Sequence, residues 1–201
     1  MSKPKLLLAT NNQAKVREYA RLLKGIPYRI VSLKDIDISE QVEETGASFE
    51  ENAVLKAERY AQLSGLITMA DDSGLEVDAL NGEPGVRSAR YAGEDASDAE
   101  RIDFLLNKLA GIPWDKRNAQ FRCVIAIARP DGKVQTCQGQ CRGVLTFAPL
   151  GDKGFGYDPI FYLPELHRTM AELPMSRKNA VSHRGKAADE ARKILSDLYS
   201  I

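Results

Sequence analysis

Short apolar runs and amphipathic segments alternate along the first third of the chain. The run KLLLA at residues 5–9 predicts a short buried strand, and the polar TNN that follows predicts a turn and a helix start. Apolar residues then recur at helical spacing, which predicts an amphipathic helix ended by Gly25. These residues are Val16, Tyr19, Ala20 and Leu23. A second apolar stretch, 28–33, predicts another strand.

A capping box marks the start of the next helix. Ser48 followed three residues later by Glu51 is the pattern in which each side chain satisfies a backbone N–H group at the helix start. The predicted helix buries one apolar face and stops near Gly65. The apolar run 66–70 then predicts a strand that leads into two adjacent aspartates.

The middle of the chain combines a loop, a helix and a hairpin. Residues 81–93 are rich in glycine and proline and predict a loop, and Ser97 with Glu100 forms a second capping box. The stretches 119–128 and 134–145 flank the turn sequence RPDGK, which predicts a β-hairpin.

The C-terminal quarter contains a glycine-rich loop and two predicted helices. The loop is GDKGFGYDP, a short helix is expected from Pro174, and a longer helix follows. Five apolar residues mark the buried face of that longer helix: Ala187, Ala191, Ile194, Leu195 and Leu198. Strands that alternate with helices, together with an antiparallel hairpin, indicate an α/β fold with a mixed sheet.

Composition narrows the function classes. The chain has 201 residues and a formal net charge of zero, which favours a single domain (1–201, with room for two lobes) and argues against non-specific nucleic-acid binding. No apolar run is long enough to span a membrane, and no signal segment is recognised. Three cysteines without a CxxC pair favour reduced thiols. We therefore expect a cytoplasmic protein that contacts neither nucleic acid nor membrane.

The stretch ADDSG places Asp71 and Asp72 at the predicted end of a strand. Like charges side by side are unfavourable unless a positive group is near. Two unit charges about 4 Å apart repel by about 4 kcal/mol at an effective dielectric near 20. One interpretation is a turn, in which Asp and Ser bond their own backbone and Gly74 takes positive φ. The other is a cation site. Because side chains alternate along a strand, Asp72 is expected to face the site while Asp71 braces the turn.

The loop ATNNQAK lies between a predicted strand and a predicted helix. Such a loop presents backbone N–H groups and the positive end of the helix dipole, and Lys15 adds a full charge about one turn later. The Walker A pattern is absent. The loop is consistent with either a phosphate site or an ordinary helix cap with a surface lysine.

Three further stretches carry candidate chemistry. EETG, with Glu43 and Glu44, is either a solvated loop or the source of a second carboxylate for a hard cation such as Mg²⁺. GFGYDP offers aromatic faces that are suited to stacking on a base or on the core. SRKNAVSHRGKA is the most basic segment, either a solvated face or a group of phosphate and base contacts. In combination, these features indicate a binding site for a magnesium nucleoside polyphosphate.

Six blocks in one order resemble the inosine triphosphate pyrophosphatase family, and within it the bacterial dITP/XTP pyrophosphatases. The blocks are LATNNQAKVRE, EETGASFEENAVLKA, ADDSGLEVDALNGEPGVRSARYAG, FRCV, GFGYDPIF and SHRGKA. The resemblance implies an elongated α/β protein with a mixed sheet, flanking helices and two lobes around a substrate cleft. It also implies a homodimer that hydrolyses ITP, dITP or XTP to the monophosphate and pyrophosphate, and so removes deaminated purines from the nucleotide pool.

The resemblance assigns roles residue by residue. Asp72 is implied as the catalytic base and, with Glu44, as a Mg²⁺ ligand, and Glu43 stays open as an alternative. Substrate contacts are implied for Thr10, Asn11, Asn12, Gln13, Ala14, Lys15, Ser73, Phe155, Gly156, Tyr157, Asp158, Lys178, His183 and Arg184. Many relatives have glycine where this chain has Asn11, and asparagine is the residue other than glycine that best tolerates left-handed backbone.

Two other functions are consistent with the same residues. One is a related hydrolase that prefers pyrimidine or modified nucleotides. The other is a nucleotide-binding module without catalysis, against which the intact Asp72, Glu44 and Lys15 argue.

Overall fold

The computed structural model describes residues 3–200, which form a seven-stranded sheet in the order β2-β1-β3-β4-β5-β6-β7. The strands are β1 Lys5–Leu8, β2 Arg29–Ser32, β3 Ile67–Val77, β4 Asn118–Ala128, β5 Val134–Leu145, β6 Phe161–Leu163 and β7 Arg168–Thr169. β1 pairs in parallel with β2 and β3, whereas β6 pairs antiparallel with β5 and β7. The predicted mixed sheet is confirmed.

Five α-helices accompany the sheet in the described part of the chain. They are α1 Gln13–Leu22, α2 Phe49–Ser64, α3 Asp98–Lys108, α4 Met175–Val181 and α5 His183–Tyr199. No helix within residues 3–200 has the length and apolar character needed to cross a membrane.

The described residues divide into two compact units, each with its own core. The first unit takes in the chain up to Asp72, Cys123–Gly139 and the chain from Arg184 onward, and the second takes in Ser73–Arg122 and Gln140–His183. In the first unit, Leu6, Tyr19 and Met69 belong to a core that also includes three of the five apolar residues predicted for the C-terminal helix, and the other two, Ile194 and Leu198, are partly buried and pack against it. In the second, buried residues such as Leu105 and Phe161 form a separate core.

The local signals located most element starts correctly, with some differences in detail. Ser97 and Glu100 form the complete reciprocal capping box. At Ser48 only half of the box forms, because the Glu51 carboxylate accepts from the Ala47 N–H group instead. The helix predicted to end at Gly25 ends at Leu22, and the loop 81–93 contains a 3₁₀ segment.

Strand β3 corrects the interpretation of ADDSG. The predicted strand 66–70 ended at the aspartates, but β3 runs without interruption through Asp71 and Asp72 to Val77. Gly74 does not have positive φ, so the predicted turn is wrong. The strand continues because Leu75 and Val77 are fully buried in the second unit's core. Because there is no turn, the predicted role of Asp71 in bracing it is also wrong.

Candidate active site

Asp71 is the counter-ion of two basic side chains within the first unit. Its fully buried carboxylate lies 2.8 Å from Lys15 Nζ and 3.9 Å from Arg184 Nε. Burial raises the pKa of Asp71, but the positive charges of Lys15, Arg184 and Lys56 outweigh burial and hold it well below its usual range. Asp71 is therefore ionised and anchors cations.

Arg184 is buried and forms a second ion pair. Its Nη1 donates to Glu18 Oε2 at 2.6 Å, which joins the start of α5 to α1. Burial lowers the pKa of Arg184, but the charges of Glu18, Tyr19 and Asp71 together raise it by more. The net pKa is raised, so the guanidinium keeps its charge. Lys15, Asp71, Arg184 and Glu18 thus form a compact network of alternating charge.

Asp72 has a different environment from its neighbour. It is buried, and its Oδ2 accepts a hydrogen bond of 3.0 Å from Asn52 Nδ2. Burial raises the pKa of Asp72, the Lys56 charge lowers it, and the negative charge of Glu44 raises it, with a net increase. A carboxylate with a raised pKa is a better proton acceptor than an ordinary aspartate, and this separates Asp72 chemically from Asp71.

Lys56 lies between the acidic groups of the first unit. Its ammonium donates to Glu44 Oε1 at 2.5 Å and to the backbone carbonyl of Asp71 at 2.7 Å. Burial lowers the pKa of Lys56, but Asp72, Glu44 and Asp71 together raise it. Lys56 thus links the Glu44 carboxylate to the aspartate strand, and the role of Glu44 as a metal ligand stays a prediction.

The loop before α1 supplies the N-terminal cap of that helix. Asn12 Oδ1 accepts from the N–H groups of Ala14 at 2.9 Å and Lys15 at 3.2 Å, and Thr10 Oγ1 accepts from the Asn12 N–H group. The predicted helix start is therefore present, but Lys15 is not a surface lysine, since its ammonium pairs with the buried Asp71 carboxylate. The phosphate site stays a prediction. Asn11 does not adopt positive φ, so the left-handed tolerance of asparagine is not needed there. Gln13 is the exposed first residue of α1.

The second unit contains a separate group built on GFGYDP. Asp158 Oδ2 accepts from the Phe155 N–H group at 2.9 Å and from Lys178 Nζ at 2.6 Å. The Lys178 ammonium also lies 4.9 Å from the centre of the Phe155 ring. Gly154 has φ of +80°, and a Cβ atom there would overlap the Asp158 carboxylate. Only glycine lets the loop wrap around Asp158 in this way.

Two contacts from other elements of the second unit hold this loop in place. The Gly156 N–H group donates to Asp98 Oδ2 at 2.6 Å, and the Tyr157 hydroxyl donates to the Ser88 carbonyl at 3.0 Å. His183 is buried and stacks on Phe121 with ring centres 4.7 Å apart. The loop is thus fixed in place, with its backbone and its aspartate already bonded.

Comparison with known proteins identifies the family. The model of the Ham1 family matches residues 6–194. The chain belongs to the Ham1 family. A dITP/XTP pyrophosphatase of Desulforamulus reducens is 52% identical over 97% of both chains, and one of Geobacter sulfurreducens is 51% identical over 91% of this chain and 92% of its own.

Solved structures of Ham1 proteins have the same fold. A HAM1 protein from Coxiella burnetii is 41% identical with a TM-score of 0.89, covering 96% of this chain and 99% of its own. The Ham1 protein of Staphylococcus aureus is 43% identical with a TM-score of 0.86, covering 96% and 98%. The α/β architecture expected from the sequence is therefore that of Ham1 proteins.

Within this Ham1 chain, the structure brings several predicted site residues together and leaves others apart. In the first unit Lys15, Asp71 and Arg184 converge, and Glu44 interacts with Asp72 through charge. In the second unit Phe155, Asp158 and Lys178 converge. Ser73 is partly buried in β3, Thr10 is partly buried before α1, and Asn11 and Gln13 are exposed. Their substrate contacts stay predictions.

Sequence reasoning on this Ham1 chain overlooked four residues. Asn52 and Lys56 lie one turn apart on α2, Glu18 lies on α1, and Asp98 begins α3. A polar residue at a position that the apolar pattern would bury is the signal that could have revealed Asn52 and Glu18. Asp98 had none, because an acidic residue in a first helical turn is ordinary.

Proposed function

We propose that this chain hydrolyses the α–β phosphate bond of non-canonical purine nucleoside triphosphates, with ITP, dITP and XTP as substrates. The products are the nucleoside monophosphate and pyrophosphate. The proposal rests on the different environments of the two adjacent aspartates in ADDSG. Asp71 is the ionised anchor of Lys15 and Arg184, while Asp72 is a buried carboxylate with a raised pKa. The name dITP/XTP pyrophosphatase of relatives near 50% identity supports the substrate class.

The residues of the first unit suit a magnesium ion. Asp72 and Glu44 supply carboxylate oxygens, and a hard cation is usually held by one or two carboxylates plus substrate phosphates. The Lys56 ammonium, bonded to the Glu44 carboxylate and to the Asp71 carbonyl, supports the assignment, because a positive charge is accommodated beside Glu44. No cluster of three or more His, Cys, Asp or Glu side chains with metal-ligand geometry exists in residues 3–200, so phosphate oxygens would complete the shell. When bound, the ion would offset phosphate charge and polarise the bond to be cleaved.

The chain's own residues then act as follows. Asp72 orients the attacking water and accepts its proton at the carboxylate, because its raised pKa makes it the more basic of the two aspartates. Lys15 and Lys56 supply positive charge for the phosphates, and the N-terminus of α1 adds the positive end of the helix dipole. Asp71 keeps Lys15 in position before substrate arrives.

We assign base recognition to the group in the second unit. Phe155, Gly156, Tyr157 and Asp158 would form the base pocket, and Lys178 and His183 would contact substrate, as the resemblance implies. The Lys178 ammonium lies 4.9 Å from the centre of the Phe155 ring, so the two groups assigned to substrate are in contact with each other. A donor aimed at the 6-carbonyl of hypoxanthine or xanthine is left unpaired by adenine, which penalises ATP.

The proposed assembly is a homodimer in the cytoplasm that binds neither nucleic acid nor membrane. The support is the resemblance together with the neutral net charge. Light scattering coupled to size-exclusion chromatography tests the dimer, with a mass twice that of the 22.2 kDa chain as the expected result.

A nucleotide panel tests the proposed function. Pyrophosphate release is measured with Mg²⁺ for ITP, dITP, XTP, ATP, GTP, CTP and UTP at equal concentrations. We expect the three non-canonical purines to be cleaved at least about 100-fold faster than ATP, because the 6-amino group of adenine leaves the donor unpaired. GTP has the same 6-carbonyl as ITP, so this donor does not discriminate against it. Preferred cleavage of a pyrimidine nucleotide would support the related-hydrolase alternative. Binding of Mg²⁺–ITP without turnover would support the non-catalytic module.

A further inference from the structure

Asn52 is a fully buried polar residue on α2 whose carboxamide is bonded at both ends. Its Nδ2 donates to Asp72 Oδ2 at 3.0 Å, and its Oδ1 accepts from the Gly46 N–H group at 2.8 Å. A buried amide is unfavourable unless its polar groups are paired, so these two contacts define the position of the side chain. Asn52 thereby ties strand β3 to the loop that precedes α2.

The partners of Asn52 leave its carboxamide one orientation. A backbone N–H group can only donate, so the oxygen must face Gly46. An ionised carboxylate can only accept, so the NH₂ group must face Asp72. Aspartate or leucine at this position would lose one or both contacts, and glutamine would be too long for a fully buried site. The site therefore selects asparagine by chemistry and by length.

The loop contact depends on the absence of a side chain at Gly46. A Cβ atom there would lie 2.6 Å from Glu51 Cβ and 2.7 Å from Asn52 Oδ1, closer than such atoms approach. Gly46 is two residues beyond Glu44, the second proposed magnesium ligand. One turn further along the helix, Lys56 binds the Glu44 carboxylate itself. The face of α2 formed by Asn52 and Lys56 therefore holds both the Glu44 loop and the aspartate strand.

We propose that Asn52 is a positioning residue that sets the separation between the Asp72 and Glu44 carboxylates, and so the geometry of the divalent-cation site. The inference rests on the magnesium assignment of the proposed function. Asn52 does not touch the reacting atoms. It acts through one carboxylate directly and through the other by way of Gly46.

The test compares Asn52→Ala with Ala61→Gly, a matched control on the same helix. Ala61 is buried but has no polar side-chain contact, so its replacement weakens α2 without moving either carboxylate. The affinity of the protein for Mn²⁺ is measured from the free ion's paramagnetic resonance without pyrophosphate, because pyrophosphate binds Mn²⁺ itself. Asn52→Ala should weaken Mn²⁺ binding about 10- to 100-fold, the usual effect of losing a partner that orients a metal ligand. Ala61→Gly should lower the thermal midpoint and leave Mn²⁺ affinity unchanged.

Kinetics separate positioning from substrate binding. Asn52→Ala should lower kcat for ITP about 10- to 100-fold while KM for ITP changes less than about threefold. If Asn52→Ala does not fold, Gly46→Ala carries the test, since its methyl group displaces the loop from Asn52 Oδ1. Mn²⁺ affinity and kcat within about twofold of wild type in the variant that folds would overturn the proposal. The Mn²⁺ measurement needs no turnover, so an inactive wild type would refute the proposed function without deciding the role of Asn52.

Discussion

Lys15 Nζ lies 2.8 Å from Asp71 Oδ2, and this ion pair joins the first turn of α1 to the middle of strand β3. The aspartate is fully buried and the lysine only slightly exposed, so the pair is shielded from solvent. Arg184 approaches the same oxygen at 3.9 Å. Asp71 therefore holds in place Lys15, whose charge the proposed reaction needs for phosphate, and also pairs with Arg184.

Replacing Asp71 with asparagine should destabilise the protein strongly. The change leaves Lys15 and Arg184 without their shared counter-ion, and breaking one side of a buried pair costs about 3–5 kcal/mol. Urea unfolding at pH 7 measures the loss. Glu40→Gln is the control, because its ion pair with Arg59 is exposed and should contribute less than about 1 kcal/mol. Equal stability losses in the two variants would contradict the anchoring role.

The Asp71 contribution should also depend on pH in one direction. Its folded pKa is lowered, so its stabilisation is complete above the unfolded carboxyl pKa of about 3.9 and is lost as pH falls below that value. The stability difference between wild type and Asp71→Asn should be constant from pH 5 to 8 by this reasoning and shrink below about pH 4. Unfolding curves collected across this range test it, and a difference that grows on acidification would be inconsistent with an ionised anchor.

Replacing Asp72 with asparagine should stabilise the protein at neutral pH, the opposite of the effect expected for Asp71. Burial raises the pKa of Asp72, so ionised Asp72 destabilises the metal-free fold at neutral pH. Asp72→Asn keeps an acceptor for Asn52 and should raise the thermal midpoint in EDTA at pH 7 while lowering kcat by about 10²- to 10⁴-fold, the usual share of a general base. The thermal gain should diminish as pH falls, because protonated Asp72 carries no charge. A variant that is less stable than wild type at pH 7 would refute this assignment.

Gly154 offers a test of the loop in the second unit. Gly154→Ala places a methyl group against the Asp158 carboxylate, whereas Gly132→Ala, at a similar φ of +85°, meets only open space. Both variants pay the strain of a left-handed alanine, about 1 kcal/mol. Gly154→Ala should cost at least about 1 kcal/mol more, because overpacking adds to that strain. Gly154→Ala should also raise KM for ITP. Equal effects of the two substitutions on stability and on KM would contradict the assignment of this loop to the base pocket.

Helix starts could be predicted from the sequence because they depend on contacts between residues that are close along the chain. The reciprocal bonds of Ser97 and Glu100 and the cap at Asn12 involve residues three or fewer positions apart, so the sequence contains the whole interaction. The predicted strand stopped short of the aspartates because Asp71 is stabilised by Lys15 and Arg184, which are distant along the chain. Without those partners, two adjacent charges resemble a turn.

The site was predictable in its residue types more than in its contacts. Resemblance and chemistry singled out Asp72, Glu44 and Lys15, but strand alternation alone could not reveal what Asp71 binds. Asn52 and Lys56 were missed because a helix pattern shows which face is apolar and not which strand that face meets. Such pairings are tertiary and appear only when the chain is folded.

Hydrolysis of ITP in water enriched in heavy oxygen tests the central claim most directly. If Asp72 directs water to the α-phosphorus, mass spectrometry will find the heavy oxygen in IMP, with unlabelled pyrophosphate as the other product. The labelled IMP should form at least about 100-fold more slowly with Asp72→Asn. Heavy oxygen in pyrophosphate or in orthophosphate, or labelled IMP formed at an undiminished rate by Asp72→Asn, would contradict the account.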